Sequence, residues 1–380
     1  MTIVRQPTRA GVRDAAAKIA AILAPSPLFT HEINGVTIAF KAESLQPIGA
    51  FKLRGAWHRL TALDDHQRTK GVVAFSSGNH AQGVAWAAKR LGIPATIVMP
   101  SDAPKAKRDG TLALGAEVVP YDRMTEDRVR IAAELAEARG AVLVPSFDDP
   151  WIIEGQGSAG IEARRQMEAI GLGEPTHVVI PCGGGGLAAG IALGLTEARI
   201  TVVEPEGWDD MRHSLEASWI EPVGPNPPPT ACDALQTPVV SPLTFEVLAR
   251  RDAKGVAVSE AEVRAAQRWA AAKLHLVVEP GGAVGLAALL AGKDPDGDAS
   301  DQRAFMRAVF RDGLVPALRR DPVVMRAFFR ALNLLTAPDA MVKDADVAAR
   351  VLAVWQDRDN RPPEPDLGPK RRSDLLELIA

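Results

Sequence analysis

Glu43-Ser44-Leu45-Gln46-Pro47-Ile48-Gly49-Ala50-Phe51-Lys52-Leu53-Arg54-Gly55-Ala56 is the stretch on which the reading of this chain turns. Pro47 and Gly49 punctuate a turn and the residues after them read as helix, so Lys52 stands where a turn passes into a helix. A lysine beside a phenylalanine is ordinarily a snorkelling surface residue. Two downstream motifs change that reading. The strand-like Gly71-Val72-Val73-Ala74-Phe75 runs into Ser76-Ser77-Gly78-Asn79-His80, and His177-Val178-Val179-Ile180-Pro181 leads to Gly183-Gly184-Gly185-Gly186 at the head of an apolar helix.

From Gly71 onward, short β-branched runs alternate with alanine-rich helical stretches, the pattern of parallel strands joined by crossover helices. Val72 to Phe75, Ala95 to Met99, Glu117 to Pro120 and Ala141 to Val144 read as strands, with helices over Ala81–Leu91, Pro104–Leu114 and Glu126–Ala138. A second unit takes Val178–Ile180, a helix from Gly186, Ile200–Val203, Val256–Val258 and a helix after Ser259. The expected organisation is a large domain of residues 1–70 and 149–293, with residues 71–148 inserted as a small one. The proline-rich Glu221–Thr230 reads as a surface connection. Past Lys293 the character shifts to an atypical helical tail over 294–357, then a proline- and charge-dense stretch over 358–380 that reads as disordered.

The 380 residues are 47% hydrophobic, enough for a large core, and the formal charge of −3 gives no electrostatic footprint for nucleic acid. Cys182 and Cys232 stand far apart, which offers no disulfide framework and fits a reducing cytoplasm. Arg5, Arg9 and Arg13 interrupt the N-terminus before any apolar signal core, and no run approaches a membrane span, so a cytoplasmic protein without membrane association is expected.

A lysine, a polar turn and a glycine loop together suggest pyridoxal 5′-phosphate, which needs an amine to hold it as a Schiff base and to move the α-proton once substrate displaces it. The Ser76–His80 turn reads as a helix start capped by Ser77 or Asn79; alternatively, its backbone N–H groups bind a substrate carboxylate while Asn79 reaches the cofactor's phenolic oxygen. His80 reads as structural. Gly184-Gly185-Gly186-Leu187-Ala188-Ala189 also satisfies a dinucleotide fingerprint, with Glu204 ending the next strand. That reading leaves Lys52 unexplained, and four glycines suit a compact phosphate better. Glu204-Pro205-Glu206-Gly207-Trp208-Asp209-Asp210 reads either as a solvated acidic loop or as oxygen ligands for Mg²⁺, Mn²⁺ or Ca²⁺.

On these motifs the chain resembles the fold type II pyridoxal phosphate enzymes (tryptophan synthase β-like), in the serine/threonine dehydratase and serine racemase branch. The resemblance runs from about Pro25 to Lys293 and extends to Glu154-Gly155-Gln156-Gly157, Cys232-Asp233-Ala234-Leu235-Gln236-Thr237-Pro238 and Glu279-Pro280-Gly281-Gly282-Ala283. It implies an α/β architecture of two open, mostly parallel sheets flanked by helices. It also implies Lys52 as the Schiff-base lysine, Phe51 near the ring, Asn79 on the ring hydroxyl, and Gly183, Gly184, Gly185 and Gly186 on the phosphate. Ser76, Ser77, Gly78, Asn79 and His80 become the substrate turn, with Ser77 a second acid/base on the face opposite the lysine. The branch's cation site matches Glu204, the Trp208 carbonyl and Asp210. One departure stands out: the family's final strand and Ser-Gly-Gly-Asn-like turn, which meets the pyridine nitrogen, is absent after Lys293.

The expected activity is an ammonia-lyase acting on L-serine or L-threonine through an aminoacrylate to give a 2-oxo acid and ammonia. Serine racemase and 3-hydroxyaspartate ammonia-lyase are alternatives, as is an impaired descendant lacking the C-terminal turn. A small amino acid is the expected partner, and a homodimer the expected assembly.

Overall fold

The computed structural model describes residues 5–33 and 36–293. The chain divides into two units, residues 1–305 and 306–380, and every described residue belongs to the first. The helical-tail and disorder expectations for 294–380, and the missing Ser-Gly-Gly-Asn turn, lie outside the described residues.

The chain begins with α1 (Arg9–Ala20), then an antiparallel hairpin of β1 (Leu28–Ile33) and β2 (Val36–Lys41), then α2 (Lys52–Thr61) and α3 (Asp65–Lys70). Asp64 and Gln67 form a capping box at the start of α3. Next come β3 (Val72–Phe75), α4 (Asn79–Leu91), β4 (Ala95–Pro100), α5 (Lys105–Ala113), β5 (Glu117–Tyr121), α6 (Arg128–Arg139) and β6 (Val142–Leu143). These strands make a parallel sheet in the order β5-β4-β3-β6. After α7 (Pro150–Ala169), a second parallel sheet, β7-β8-β9, is built from β7 (His177–Pro181), β8 (Arg199–Pro205) and β9 (Lys254–Val258). Its helices are α8 (Gly186–Gly194), α9 (Asp210–Ala217), α10 (Pro242–Arg250), α11 (Glu260–Trp269) and α12 (Pro280–Leu290).

The strands lack polar alternation because both faces are covered. Val72 and Ala74 of β3 pack with α4 residues Val84 and Trp86, while Val73 between them packs with Ala132 and Ala136 of α6. In β8, Val202 joins the cluster around α8, and Val203 joins the one formed by Val284 and Ala287 of α12.

Between the sheets runs α7, and the Glu154-Gly155-Gln156-Gly157 motif lies inside it. A Cβ on Gly155 would strike the backbone of Arg54 and Gly55 in α2, and one on Gly157 would strike Gly190 of α8. Both glycines buy a backbone-to-backbone approach that no other residue permits.

The expected Ala81 helix start moves to Asn79, and neither Ser77 nor Asn79 caps it: Gly78 is the N-cap and makes no side-chain cap. Asn79 is already the first helical residue, one past the capping position, and its Nδ2 donates to Glu279 (2.7 Å). The strand expected over Ala141–Val144 is only Val142–Leu143, and the hairpin and α7 carry no local pattern that marks them in the sequence.

Candidate active site

Lys52 is the first residue of α2, following Phe51 as N-cap. Its Nζ donates to the Ser146 carbonyl (2.9 Å) and sits 5.2 Å from the centre of the Phe51 ring. Burial pushes its ammonium down to about 8, with the Glu279 carboxylate pulling weakly the other way. Phe147, the next residue after Ser146, fills the space a Cβ would need on Gly184 and Gly186. One short connection after β6 therefore touches both the lysine and the glycine loop.

The serine turn follows β3 and the glycine loop follows β7, so both stand at the carboxyl ends of parallel strands, where open α/β sheets bind ligands. No side chain caps α4 or α8. The first-turn N–H groups of each helix lack acceptors within the helix and favour an anion in front of them. His80 is held by its Nε2 against the Val144 carbonyl (2.9 Å), and burial, then the charge of Lys52, pushes it down to about 3. The imidazole is thus buried and neutral.

Several residues near the turn carried no assigned role in the sequence. Lys107 of α5 brings its Nζ within 3.0 Å of where a Gly78 Cβ would lie and pairs with Asp233 (2.7 Å). Glu279, the N-cap of α12, accepts from Asn79; burial raises its carboxyl, partly offset by Asn79 and Lys107. Thr244 of α10 donates to the Gly184 carbonyl (2.9 Å). Asp233 and Glu279 sit inside motifs that mark the resemblance, which was their only signal; Lys107, Ser146, Phe147 and Thr244 had none.

These features fit pyridoxal phosphate: an uncapped helix behind a side-chain-free loop for the phosphate, and a lysine whose amine is partly neutral near physiological pH. The acidic loop is a different case. Glu204 is fully buried and accepts from the N–H groups of Met211 (3.2 Å) and Arg212 (2.8 Å). Burial and the Asp210 charge raise its carboxyl well above the usual range, and burial pushes Asp210 up to about 7. Both Asp210 oxygens are buried, facing the backbone N–H groups of Val240 and Met211 without closing a well-formed hydrogen bond to either. No cluster of three His, Cys, Asp or Glu occurs among the described residues, so a cation here needs a carbonyl such as that of Trp208 to complete its ligands.

This site sits on the scaffold of a cofactor-dependent α/β enzyme, and comparison with known proteins gives the class. The chain matches the pyridoxal-phosphate dependent enzymes over residues 20–301 and belongs to that fold type II family, in its serine racemase, threonine dehydratase and hydroxyaspartate lyase branch. It is 38% identical over 296 residues to the L-threo-3-hydroxyaspartate ammonia-lyase of Saccharomyces cerevisiae, covering 76% of this chain and 89% of that one. It is 42% identical over 272 residues to the enzyme of the same name from a Pseudomonas species, covering 70% and 83%. Maize serine racemase superposes with a TM-score of 0.72 at 34% identity, covering 78% of this chain and 90% of that one. The match spans the glycine loop and sets aside its dinucleotide reading. Among the described residues no helix is long and apolar enough to cross a membrane.

Proposed function

We propose that this chain is an ammonia-lyase that converts a β-hydroxy amino acid to a 2-oxo acid and ammonia by way of dehydration, with L-threo-3-hydroxyaspartate preferred over L-serine and L-threonine. The observation that carries the preference is Lys107, a second ammonium beside the serine turn whose only ion-pair partner among the described residues is the half-exposed Asp233. A substrate bearing a β-carboxylate takes the place of Asp233 on Lys107; serine and threonine offer nothing there. Two relatives named for hydroxyaspartate support this preference over the serine and threonine expectation.

In this reading the N–H groups of Ser77 and Asn79 at the head of α4 hold the α-carboxylate, those of Ser76 and Gly78 being taken by the Val98 carbonyl (3.1 Å) and Ser76 Oγ (3.1 Å), and Lys107 holds the side-chain carboxylate. Gly183 to Gly186 hold the cofactor phosphate, Asn79 addresses the ring oxygen and Phe51 packs near the ring. Bound pyridoxal phosphate supplies the electron sink for the charge left at the α-carbon. Lys52 Nζ takes the α-proton, and its lowered pKa makes it an effective base close to neutral pH. The β-hydroxyl leaves with a proton as water, and hydrolysis of the remaining enamine yields a 2-oxo acid and ammonia. If instead Ser77 returns a proton from the face opposite Lys52, the outcome is racemisation; relatives named serine racemase keep that alternative in play.

Glu204 and Asp210, with the Trp208 carbonyl, make a cation site that supports the fold of this region, and the Asp210 oxygens, buried without a well-formed hydrogen bond, are what favour it. A cytoplasmic homodimer completes the reading. The deciding experiment is a chiral product assay of the purified enzyme across L-serine, L-threonine and the 3-hydroxyaspartate isomers. Turnover of serine or threonine at a higher kcat/KM than hydroxyaspartate would reverse the assignment.

A further inference from the structure

We propose that Thr244 is a positioning residue that gives the glycine loop its phosphate selectivity, by holding the Gly184 carbonyl away from the anion. The proposal rests on the reading of Gly183 to Gly186 as the phosphate cradle and goes one step behind it.

A glycine loop is not an anion site merely because side chains are missing. Each peptide carries a carbonyl as well as an N–H, the two pointing in opposite directions across a planar unit. A flexible glycine run turns carbonyls toward an anion as readily as N–H groups, and the first orientation repels it. Selectivity therefore requires that the loop's carbonyls be tied back.

Two of them are. Thr244 is fully buried, and its Oγ1 lies 2.9 Å from the Gly184 oxygen, nearer than the 3.1 Å to the Ser241 carbonyl or the 3.2 Å to Ser241 Oγ, which makes Gly184 its closest acceptor. The thiol of Cys182 reaches the Gly183 oxygen at 3.3 Å. A sulfhydryl is the weaker donor, which leaves Thr244 as the principal tether. Thr244 comes from α10, far from the loop in sequence, so the bond is not an accident of a local turn. It also presses on the loop: a Cβ on Gly185, whose φ is +84°, would lie 2.9 Å from both Thr244 Cβ and Oγ1. Ser241 fixes the threonine in turn, its Oγ capping α10 by accepting the Thr244 N–H (3.2 Å).

A buried threonine that only satisfies a carbonyl predicts general destabilisation when changed. A phosphate-positioning threonine predicts a loss specific to the phosphate, and pyridoxal, which has the same aldehyde and ring without that group, separates the two. Dissociation constants for pyridoxal phosphate and pyridoxal are measured on cofactor-free protein by fluorescence quenching, for the native chain and for Thr244→Val, Thr244→Ser, Thr244→Cys and Gly186→Ala. Thr244→Val should weaken pyridoxal phosphate about tenfold, the worth of one neutral hydrogen bond, and leave pyridoxal within about twofold. Thr244→Ser should retain native values. If Thr244→Val does not fold, Thr244→Cys, a poor donor of similar size, is read by the same ratio. Equal weakening of both ligands, or a serine variant as poor as valine, overturns the proposal. Gly186→Ala distinguishes the two levels. If it leaves the preference for pyridoxal phosphate intact, the loop is not the cradle and the reading beneath falls too; if it abolishes the preference while Thr244→Val spares it, only the role of Thr244 is wrong.

Discussion

Lys52 offers the sharpest quantitative consequence of this architecture, because burial moves its amine to about 8 from the ordinary 10.5. At pH 7 an amine of pKa about 8 is neutral in roughly one molecule in ten, against about one in three thousand for an ordinary lysine, a gain of about 300-fold in nucleophile. Cofactor-free protein should therefore capture pyridoxal phosphate quickly at neutral pH, with a rate that rises about tenfold per unit up to pH 8 and then levels. Rapid mixing followed by visible absorbance measures the rate, and borohydride reduction with peptide mapping assigns it to Lys52. A rate still climbing tenfold per unit toward pH 10, or label on another lysine, refutes the reasoning. The same shift has a stability sign. A lysine whose folded pKa is depressed binds its proton less well when folded, so it opposes folding below about pH 8, and the penalty fades as pH rises to about 10.5. Two and a half units correspond to roughly 3 kcal/mol, and a substitution recovers less than that because it also forfeits the hydrogen bond from Nζ to the Ser146 carbonyl. Lys52→Met should thus be inactive yet raise the stability of the cofactor-free chain by about 1–2 kcal/mol at pH 7, and by less at pH 10.

Lys107→Met should raise KM for 3-hydroxyaspartate at least about tenfold, the loss of a charged hydrogen bond, while serine kinetics stay within a factor of about two; parallel loss on both substrates would remove Lys107 from substrate recognition. Chelation by EDTA should lower the melting temperature, and Mg²⁺, Mn²⁺ or Ca²⁺ should restore it, a response that Glu204→Gln should lack. Because the Asp210 pKa is raised to about 7, the cation-free protein should lose stability as pH rises from about 4 through 7, and bound cation should flatten that slope. Gly155→Ala, whose new methyl meets the backbone of α2, should destabilise the protein by about 3 kcal/mol in denaturant titrations, and an unchanged midpoint would mean that α2 and α7 are not in close contact.

The parallel strands were legible because double-sided burial writes itself as continuous β-branched runs, as in Val72-Val73 and Val202-Val203. The hairpin was not: β1 alternates half-buried and exposed positions from Phe29 to Ile33, but His31 stands on the covered side and blurs the apolar pattern, and β2 does not alternate. Helix α7 was hidden for the opposite reason. Gly155, Gly157 and Gly160 read locally as breaks, and only tertiary packing reveals them as contact points. The three motifs of the site were visible because each ends or begins an element at a glycine or a helix start, where backbone chemistry constrains sequence. Lys107, Ser146 and Thr244 were invisible because each acts through one long-range contact, and a single contact leaves no spacing to recognise.

That hidden helix explains why the motifs must occur together. Catalysis requires the lysine amine and the cofactor phosphate to be fixed relative to one another within fractions of an ångström, yet Lys52 and the glycine loop begin different helices. Helix α7 is the common reference: Gly155 meets Gly55 of α2, and two residues later Gly157 meets Gly190 of α8. Between them Gln156 Oε1 accepts the Gly55 N–H (3.1 Å), serving α2 where no side chain caps it. Further along α7, Glu162 pairs with Arg54 of α2, which Glu43 also grips; burial opposes the guanidinium's charge, but the two carboxylates raise its pKa and keep it ionised. Breaking that pair by removing one partner strands a charge in the interior, so the register of α2 on α7 is held by a penalty for leaving it as well as by packing. The lysine motif, the Glu154–Gly157 motif and the apolar helix behind the glycine loop are thus three faces of one contact.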